Sequence, residues 1–370
     1  MNHPVSRVAI AVLVLSLALI ACAPPRPLPT PAAQVQPAPS PAPIRVTDAL
    51  GREVVLPASP QRIVLSGRAL FMVADAIYTF PQAGERIAGM GQTAQGSGNF
   101  IKMIDPAYTN KATLERDAGP EQVAALQPDL VILKSSVAES LGKPIEALNI
   151  PVVYVDFETP EQYARDIAIL GQIFNDSARA QTVIDFYQSK TEAVKKAVAG
   201  AVKPRVLLLY YNDRDGAVAF NVPPLNWIQT QMVELAGGQP VWADANPSKG
   251  WTQVALEQIA AWDADHIFIV SYFKDPSQVT RELWNDPNWQ ALRAVQSGAL
   301  HAFPVDAYSW DQPDTRWILG LTWMAGVLHP DRFPGLDIRA EMKTFYQTLY
   351  GLDAAFVEQN LFPMLKGDVD

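Results

Sequence analysis

Aromatic and arginine side chains recur in the segments that follow predicted strands of this chain. Aromatic rings offer flat apolar walls to a ligand, and a guanidinium binds carboxylate or catecholate oxygens as a planar fork. Loops beyond the carboxyl ends of strands present side chains without disturbing the sheet, so we expect ligand contacts there. The predicted ligand-binding set is Arg68, Tyr108, Tyr211, Trp227, Trp251, Tyr272, Tyr308 and Trp310.

Packing is the competing interpretation of several of these side chains. The pair Tyr210-Tyr211 also fits the end of a strand with one ring in the core, and Trp251 also fits packing over the helix that follows it. Trp317 and Trp323 are predicted to be core residues.

Direct metal capture and catalysis both lack a sequence signature. The four histidines, His3, His266, His301 and His329, do not show the spacing of metal ligands. No nucleophile elbow, phosphate-cradling glycine loop or His-Glu-x-x-His motif is present. Asp306 and Asp311 form a conceivable carboxylate pair, but the nearby Pro313 favours a turn or helix start at Asp311. A surface enzyme is therefore the weaker alternative, and no cofactor is expected.

The elements that must position these loops alternate between strand and helix. Strands are predicted at RIVLS, RIAGMG, DLVILK and PVVYVD, and the pattern restarts with RVLLLYY, HIFIVSY and LHAFPV. A hairpin is predicted at RVTDALGREVVLP, and residues 317–328 predict a helix with Trp317, Leu321, Met324 and Leu328 on one apolar face. Between the two halves, residues 177–199 predict a helix about 35 Å long, at about 1.5 Å per residue. The pattern predicts two Rossmann-like α/β lobes bridged by one long helix.

One helix-then-strand unit occurs twice. EQVAALQPDLVIL starts at Glu121, and EQIAAWDADHIFI starts at Glu257, 257 − 121 = 136 residues later. The repetition supports two similar lobes, although two amphipathic units can also resemble each other by chance.

The amino-terminal residues predict an exported, anchored protein. Arg7 precedes an uncharged apolar run at 8–20, which is shorter than the roughly 20 residues that span a membrane. The run ends in LIAC, which looks like a bacterial lipobox with Cys22 as the lipidated residue. The domains are predicted as a signal peptide at 1–21, lipidated Cys22 with a proline-rich tether at 22–43, a first lobe at 44–175, the bridging helix at 176–201 and a second lobe at 202–370. The net charge of −9 argues against nucleic acid as a partner.

The chain resembles the ABC-transporter substrate-binding proteins that capture ferric siderophores, haem or cobalamin. The motifs that carry the resemblance are VTDALGREVVLPASPQRIV, EQVAALQPDLVIL, MVELAGGQPVW, LEQIAAWDADHIFIV and LWNDPNWQALRAVQSGALHAFPVD. It implies a ligand cleft between the lobes, a membrane permease with its ATPase as partners, and a monomer outside the cytoplasm that is anchored by lipid to the cell membrane.

The resemblance also implies a ligand class and a docking surface. A ferric siderophore or similar metal chelate comes first, before haem and corrinoid, and some relatives take oxyanions such as molybdate. Glu121 and Glu257 stand where the family has an acidic residue on each lobe that docks onto the permease. The alternative for both is an ordinary glutamate in the first turn of a helix.

Overall fold

The computed structural model describes residues 43–92, 99–214, 216–246 and 250–369. The predicted signal peptide, Cys22 and the tether as far as residue 42 lie outside the described residues. In the described part of the chain, no helix combines the length and apolar character that crossing a membrane requires.

The strands are short, and those at the centre of each sheet are largely buried. Their bounds are β1 Ile44–Thr47, β2 Glu53–Leu56, β3 Ile63–Leu65, β4 Ile87–Gly91, β5 Ala112–Leu114, β6 Leu130–Lys134, β7 Val152–Val155, β8 Arg205–Asn212, β9 Ala219–Val222, β10 Gln239–Pro240, β11 Thr252–Val254, β12 His266–Val270 and β13 Leu300–Ala302.

Helices connect and cover these strands. Their bounds are α1 Leu70–Ile77, α2 Ala83–Arg86, α3 Phe100–Ile104, α4 Pro120–Ala124, α5 Lys143–Glu146, α6 Pro160–Ile173, α7 Ser177–Val198, α8 Ile228–Leu235, α9 Leu256–Trp262, α10 Pro276–Trp284, α11 Pro287–Gln290, α12 Arg293–Gln296, α13 Trp317–Leu328, α14 Ile338–Tyr350 and α15 Ala354–Phe356.

Two sheets organise the fold. The first has the strand order β5-β4-β3-β6-β7 with parallel pairing throughout. The second has the order β11-β9-β8-β12-β13. Strands β8, β12 and β13 pair in parallel, β9 pairs antiparallel with both β8 and β11, and β10 pairs in parallel with β8. Strands β1 and β2 form the predicted hairpin. The predicted α/β class is confirmed, and apolar runs such as that of β6 are typical of strands covered on both faces.

The repeated helix–strand unit occupies matching places in the two sheets. Helix α4 leads into β6, which pairs with β3, and α9 leads into β12, which pairs with β8. Each unit therefore adds the strand next to the first strand of its own sheet. The repetition in the sequence is a repetition of topology.

The long helix begins where the sequence predicted. Asn175 has a φ of 54°, and the Asp176 carboxylate accepts a hydrogen bond from the Arg179 N–H as the cap of α7. Helix α7 then runs to Val198 and separates β7 from β8 along the chain. Its end lies within one residue of the predicted 177–199.

Helix α13 is buried far beyond the single apolar face that was predicted. Besides Trp317, Leu321, Met324 and Leu328, it buries Ile318, Leu319 and Trp323. It packs against α7, α8 and α14. A helix covered on nearly all sides is apolar all round.

Candidate functional site

The turn after β3 exposes Arg68 at the carboxyl edge of the first sheet. Gly67 and Ala69, on either side of Arg68, have φ values of +94° and 54°. A left-handed backbone costs a non-glycine residue about 1–2 kcal/mol, so the conformation at Ala69 is a strained one. The turn leads directly into α1 and leaves the Arg68 side chain exposed.

Arg68 shares a recess of about 570 Å³ with Arg116, which follows β5. The recess is also lined by Gly67, Asp117, Gly119, Ser136 and Ser140. Neither guanidinium makes a hydrogen bond or ion pair with another residue in the described ranges. Two such planar forks in one recess suit an oxygen anion. Arg116 was not predicted, although its place just after a strand is the signal that identified Arg68.

An aromatic cluster lies at the carboxyl edge of the second sheet, and we define it as Tyr210, Trp227, Trp251 and Tyr272. Tyr210 stacks on Tyr272 with ring centroids 4.5 Å apart, and its ring lies 5.1 Å from that of Trp251. The Trp227 and Trp251 rings meet edge to face at 5.7 Å. All four rings are half-buried. The cluster unites three predicted site residues and offers partly exposed ring surface for a ligand.

A buried carboxylate orients one ring of the aromatic cluster. The Tyr272 hydroxyl donates to Asp311 Oδ2 at 2.7 Å, the Ser309 hydroxyl donates to Asp311 Oδ1 at 2.6 Å, and the Gln229 amide donates at 3.3 Å. Burial raises the pKa of Asp311, and these donors oppose the shift. Burial and the neighbouring Asp311 raise the pKa of Tyr272 well above its ordinary value. Asp311 therefore fixes the Tyr272 ring and does not form a carboxylate pair with Asp306.

Tyr211 lies on the opposite face of β8 from Tyr210, because successive strand residues alternate in direction. Its ring is buried, meets Phe220 at 5.9 Å, and lies 5.5 Å from the Lys274 ammonium nitrogen. The structure does not bring Tyr211 into the aromatic cluster. The alternative stated for the tyrosine pair, one ring in the core, describes this arrangement.

Tyr308 and Trp310 are almost fully buried. The Tyr308 ring stacks on Phe71 of α1, with centroids 4.4 Å apart, and Tyr308 lines a small cavity of about 80 Å³ with Tyr272. The Phe71–Tyr308 stack therefore connects the helix that follows Arg68 with the loops beside the aromatic cluster. Trp310 has no exposed surface in this conformation.

Tyr108 is separated from the other predicted residues by its place in the sheet. It precedes β5, whereas Arg116 follows β5, so the two residues lie at opposite edges of the first sheet. Tyr108 is half-buried, and its hydroxyl accepts a hydrogen bond from the Asn99 amide at 2.8 Å.

A buried ionic network, which the sequence analysis did not predict, joins α1 to the segment before α13. Arg316 is fully buried and contacts three carboxylates, Asp75 at 2.6 Å, Asp306 at 2.7 Å and Asp314 at 2.7 Å. Its guanidinium carbon lies 4.4 Å from the centre of the Phe100 ring. Asp75 belongs to α1, so the network ties the helix behind the Arg68 turn to the segment before α13.

Glu121 and Glu257 are both exposed in the first turns of their helices, α4 and α9. Neither side chain makes a hydrogen bond or ion pair with a residue that the structure describes. Their carboxylates are accessible to a partner.

The described part of the chain contains no group of three or more His, Cys, Asp or Glu side chains arranged to hold a metal ion.

The fold has two sheets covered by helices, and the loops after their strands carry arginine and aromatic side chains. This arrangement is typical of an α/β solute-binding protein. Residues 93–306 match the family model described as periplasmic binding protein. The chain belongs to the periplasmic binding protein family. This is a class that binds a substrate for transport and does not transform it.

Relatives of known function share about a quarter of their residues with this chain. The molybdate-binding protein MolA of Haemophilus influenzae is 25% identical, over 82% of this chain and 90% of MolA. The iron(3+)-hydroxamate-binding protein YxeB of Bacillus subtilis is 25% identical, over 69% of this chain and 76% of YxeB. A periplasmic solute binding protein from Veillonella parvula superposes with a TM-score of 0.69 at 25% identity, covering 86% of this chain and 96% of that chain.

Proposed function

We propose that this chain is the substrate-binding component of an ABC importer and that its ligand is a ferric siderophore or a similar anionic metal chelate. The observation that carries the proposal is the recess of Arg68 and Arg116, combined with the aromatic cluster. A chelate presents oxygen atoms for the guanidinium forks and flat or bulky organic surface for the rings. Because its metal is already coordinated, it needs no metal ligand from the protein. YxeB is a relative whose name gives this ligand class.

An oxyanion is the second candidate, and the two arginines favour it specifically. MolA, a molybdate-binding protein, matches most of the chain. A small oxyanion would use the guanidinium groups and leave the aromatic cluster without a role. Haem and corrinoid are further alternatives on the same fold, for which the rings matter most.

Calorimetric titration with ferric siderophores, haem, cobalamin and molybdate tests the ligand class. For a chelate, we expect Arg68→Ala, Arg116→Ala and Trp251→Ala each to weaken binding by about tenfold or more, near 1.4 kcal/mol. For an oxyanion, only the two arginine variants should weaken binding. Binding of a free divalent ion alone would contradict the proposal, and so would turnover of a bound ligand.

We propose that the protein docks onto its permease through Glu121 and Glu257. Each is an exposed carboxylate without a described partner, and the two occupy matching positions beside the two sheets. A carboxylate in the first turn of a helix is favoured by the helix dipole and remains open to a bidentate arginine. One such group on each proposed lobe would allow the transporter to bind both lobes at once.

Charge reversal tests the docking proposal. Glu121→Lys with Glu257→Lys should leave ligand affinity within about twofold, or roughly 0.4 kcal/mol, while abolishing transport into reconstituted vesicles. The matched control is Glu85→Lys with Glu234→Lys, which makes the same change of charge at two other exposed glutamates. Unchanged transport by the first pair would mean that the repeated Glu-Gln reflects topology alone.

Membrane attachment is proposed to depend on a lipid on Cys22, with residues 22–43 as the tether. The apolar run followed by LIAC supports this proposal. Cys22→Ala should release the protein from membranes. A variant that stays membrane-bound to the same extent as the wild type would contradict it.

A further inference from the structure

An arginine holds the carboxyl end of α4, the helix that carries Glu121. Arg62 immediately precedes β3, and its guanidinium donates to the Leu126 carbonyl at 2.8 Å and to the Gln127 carbonyl at 3.2 Å, in the turn that ends α4. Asp129 completes the contact, because its Oδ1 accepts the Arg62 backbone N–H at 2.9 Å and its own N–H donates to the Arg62 carbonyl at 3.1 Å. The end of α4 is thus bonded to the start of the first strand of its sheet.

The same contact occurs at α9, the helix that carries Glu257. Arg205 begins β8, and its guanidinium donates to the Trp262 carbonyl at 2.6 Å and to the Asp263 carbonyl at 3.3 Å, at the end of α9. The Asp265 Oδ2 accepts the Arg205 backbone N–H at 2.7 Å, and the Asp265 N–H donates to the Arg205 carbonyl at 2.8 Å. All four hydrogen bonds of the first contact therefore have a counterpart in the second.

The two contacts use equivalent positions of the repeated helix–strand unit. Gln127 and Asp263 both have a positive φ, 50° and 42°, a backbone conformation that commonly ends a helix. A guanidinium that donates to the last carbonyls stabilises such an end. The pairs with the same separation along the chain as Glu121 and Glu257 are Leu126 with Trp262, Gln127 with Asp263, and Asp129 with Asp265.

Few other points of attachment are available to these short helices. Val123 is the only buried residue among the five of α4, and Ile259 is the only one among the seven of α9. Helices of this length are marginal on their own, so tertiary contacts decide where they lie. A single buried side chain leaves a helix free to rotate about it, whereas a second attachment at one end fixes the direction of the helix. The arginine supplies that second attachment.

We propose that Arg62 and Arg205 are positioning residues of the permease-docking surface, which hold Glu121 and Glu257 at fixed places relative to their sheets. The inference rests on the docking role proposed above for the two glutamates. The arginines do not touch the permease, and each acts through the helix whose carboxyl end it holds. A helix fixed to its sheet carries a displacement of that sheet to its glutamate, whereas a helix that rotates freely absorbs it.

The second unit has an additional attachment. Arg293 of α12 also donates to the Asp263 carbonyl, at 2.6 Å, and its Nε donates to the Asp263 carboxylate at 2.8 Å. The first unit carries Gln127 at the equivalent position, and its amide cannot form this ion pair. Loss of Arg62 should therefore free α4, whereas α9 should be freed only when Arg205 and Arg293 are both lost.

Amide hydrogen exchange of the full chain tests the attachment without a partner. In Arg62→Met, we expect exchange over 121–127 to accelerate by about tenfold, while exchange in β6 stays within about twofold of the wild type. Arg205→Met with Arg293→Met should have the same effect over 257–263. Arg281→Met, which removes an exposed arginine, is the control and should leave both segments unchanged. Unchanged exchange over 121–127 in Arg62→Met would overturn the proposal.

A double-mutant cycle tests whether Arg62 acts through Glu121. The quantity measured is the affinity of the full chain for its permease–ATPase complex in lipid nanodiscs. We expect Glu121→Gln to weaken this affinity by about tenfold and Arg62→Met by about fivefold. In the Glu121→Gln chain, Arg62→Met should add less than about twofold, because the carboxylate that it positions is already absent. Arg281→Met removes the same charge elsewhere and should leave the affinity within about twofold.

The outcomes separate this inference from the docking proposal on which it rests. If neither Glu121→Gln nor Glu257→Gln changes the affinity for the permease, the docking proposal fails and the positioning role fails with it. If the glutamate variants weaken docking but Arg62→Met does not, only the positioning role is overturned. Additive losses for Arg62→Met and Glu121→Gln would also overturn it, since they would show that Arg62 affects docking independently of Glu121.

Discussion

Arg316 joins α1 to the segment that precedes α13 through buried ion pairs. One guanidinium is surrounded by three carboxylates, all fully or almost fully buried. Burial raises the pKa of Asp75 well above its ordinary value, and the guanidinium opposes this shift without cancelling it. Burial also raises the pKa of Asp314. The ionised Asp75 accepts no hydrogen bond at Oδ1. When this oxygen is protonated, it donates a hydrogen bond to the Asp314 carboxylate.

The stability of the protein should therefore depend on pH through Asp75. Because its folded pKa is raised above the ordinary value of 3.8, the folded chain binds more protons than the unfolded chain between those two values. This contribution to stability is present below the ordinary pKa and is lost as pH rises through the raised pKa. Asp75→Asn retains the shape and cannot ionise, so its stability relative to the wild type should increase with pH.

Urea unfolding from about pH 5 to about pH 8 measures this difference. Asp244→Asn, at an exposed carboxylate, is the control and should follow the wild type throughout. Parallel curves for Asp75→Asn and the wild type would show that Asp75 does not titrate in this range.

Removing the buried guanidinium of Arg316 should lower the free energy of unfolding much more than removing an exposed guanidinium. Arg316→Met leaves three buried carboxylates without a counter-charge, and breaking a buried pair costs about 3–5 kcal/mol. Arg332→Met removes an exposed arginine and should cost at most about 1 kcal/mol. Denaturation midpoints of the two variants check this prediction, and similar midpoints would refute it.

At the scale of elements, the position of a residue along its strand decides whether its side chain joins the aromatic cluster. The alternation of β8 places Tyr210 in the aromatic cluster and Tyr211 against Phe220. Tyr210→Ala should weaken ligand binding by about tenfold, because an aromatic contact contributes roughly 0.5–1.5 kcal/mol beyond its buried area.

Substitution of the neighbouring Tyr211 tests whether its ring contributes to packing and not to ligand binding. Tyr211→Ala should lower the free energy of unfolding by about 3 kcal/mol and leave ligand affinity within about twofold. Calorimetry and urea unfolding of both variants give the two quantities. A larger affinity loss for Tyr211→Ala than for Tyr210→Ala would support the original expectation for Tyr211.

The sequence predicted those features that depend on local periodicity. The hairpin, the alternating strands and the helix at 177–199 all follow from patterns within about one element. The strand-end rule also selected Arg68, Trp227, Trp251 and Tyr272, which the structure places in the arginine recess and the aromatic cluster, and their role in binding stays a prediction. It could not decide between Tyr210 and Tyr211, since a shift of one residue reverses the face of a strand.

Features that depend on distant partners left no local signal. Asp75 and Arg316 are 241 residues apart, and either one alone reads as an ordinary exposed charge. The all-round burial of α13 likewise depends on α7, α8 and α14 packing around it. Such partners are fixed by tertiary structure and not by propensity.

At the scale of the whole molecule, several contacts join the two proposed lobes. The Phe71–Tyr308 stack and the Asp75–Arg316 pair are supplemented by Arg179 of α7. Its guanidinium donates to the Thr79 carbonyl just after α1, at 2.7 Å, and to the Thr348 and Leu349 carbonyls in the last turn of α14, at 3.0 and 2.6 Å. A cation that caps the carboxyl ends of two helices stabilises both.

Arg179→Met should therefore loosen the lobes from each other before either sheet melts. All nine tryptophans lie between residues 227 and 323, so tryptophan fluorescence reports only the second proposed lobe. Amide hydrogen exchange of β3 and β6 reports the first.

In the wild type, both probes should give the same unfolding free energy, since the contacts between the proposed lobes make unfolding cooperative. In Arg179→Met, three carbonyls lose their donor, and the two free energies should separate by at least about 1 kcal/mol. Lys196→Met, at an exposed position on the same helix, is the control and should keep the probes together. Coincident free energies in Arg179→Met would mean that the Asp75–Arg316 pair and the Phe71–Tyr308 stack hold the lobes together without it.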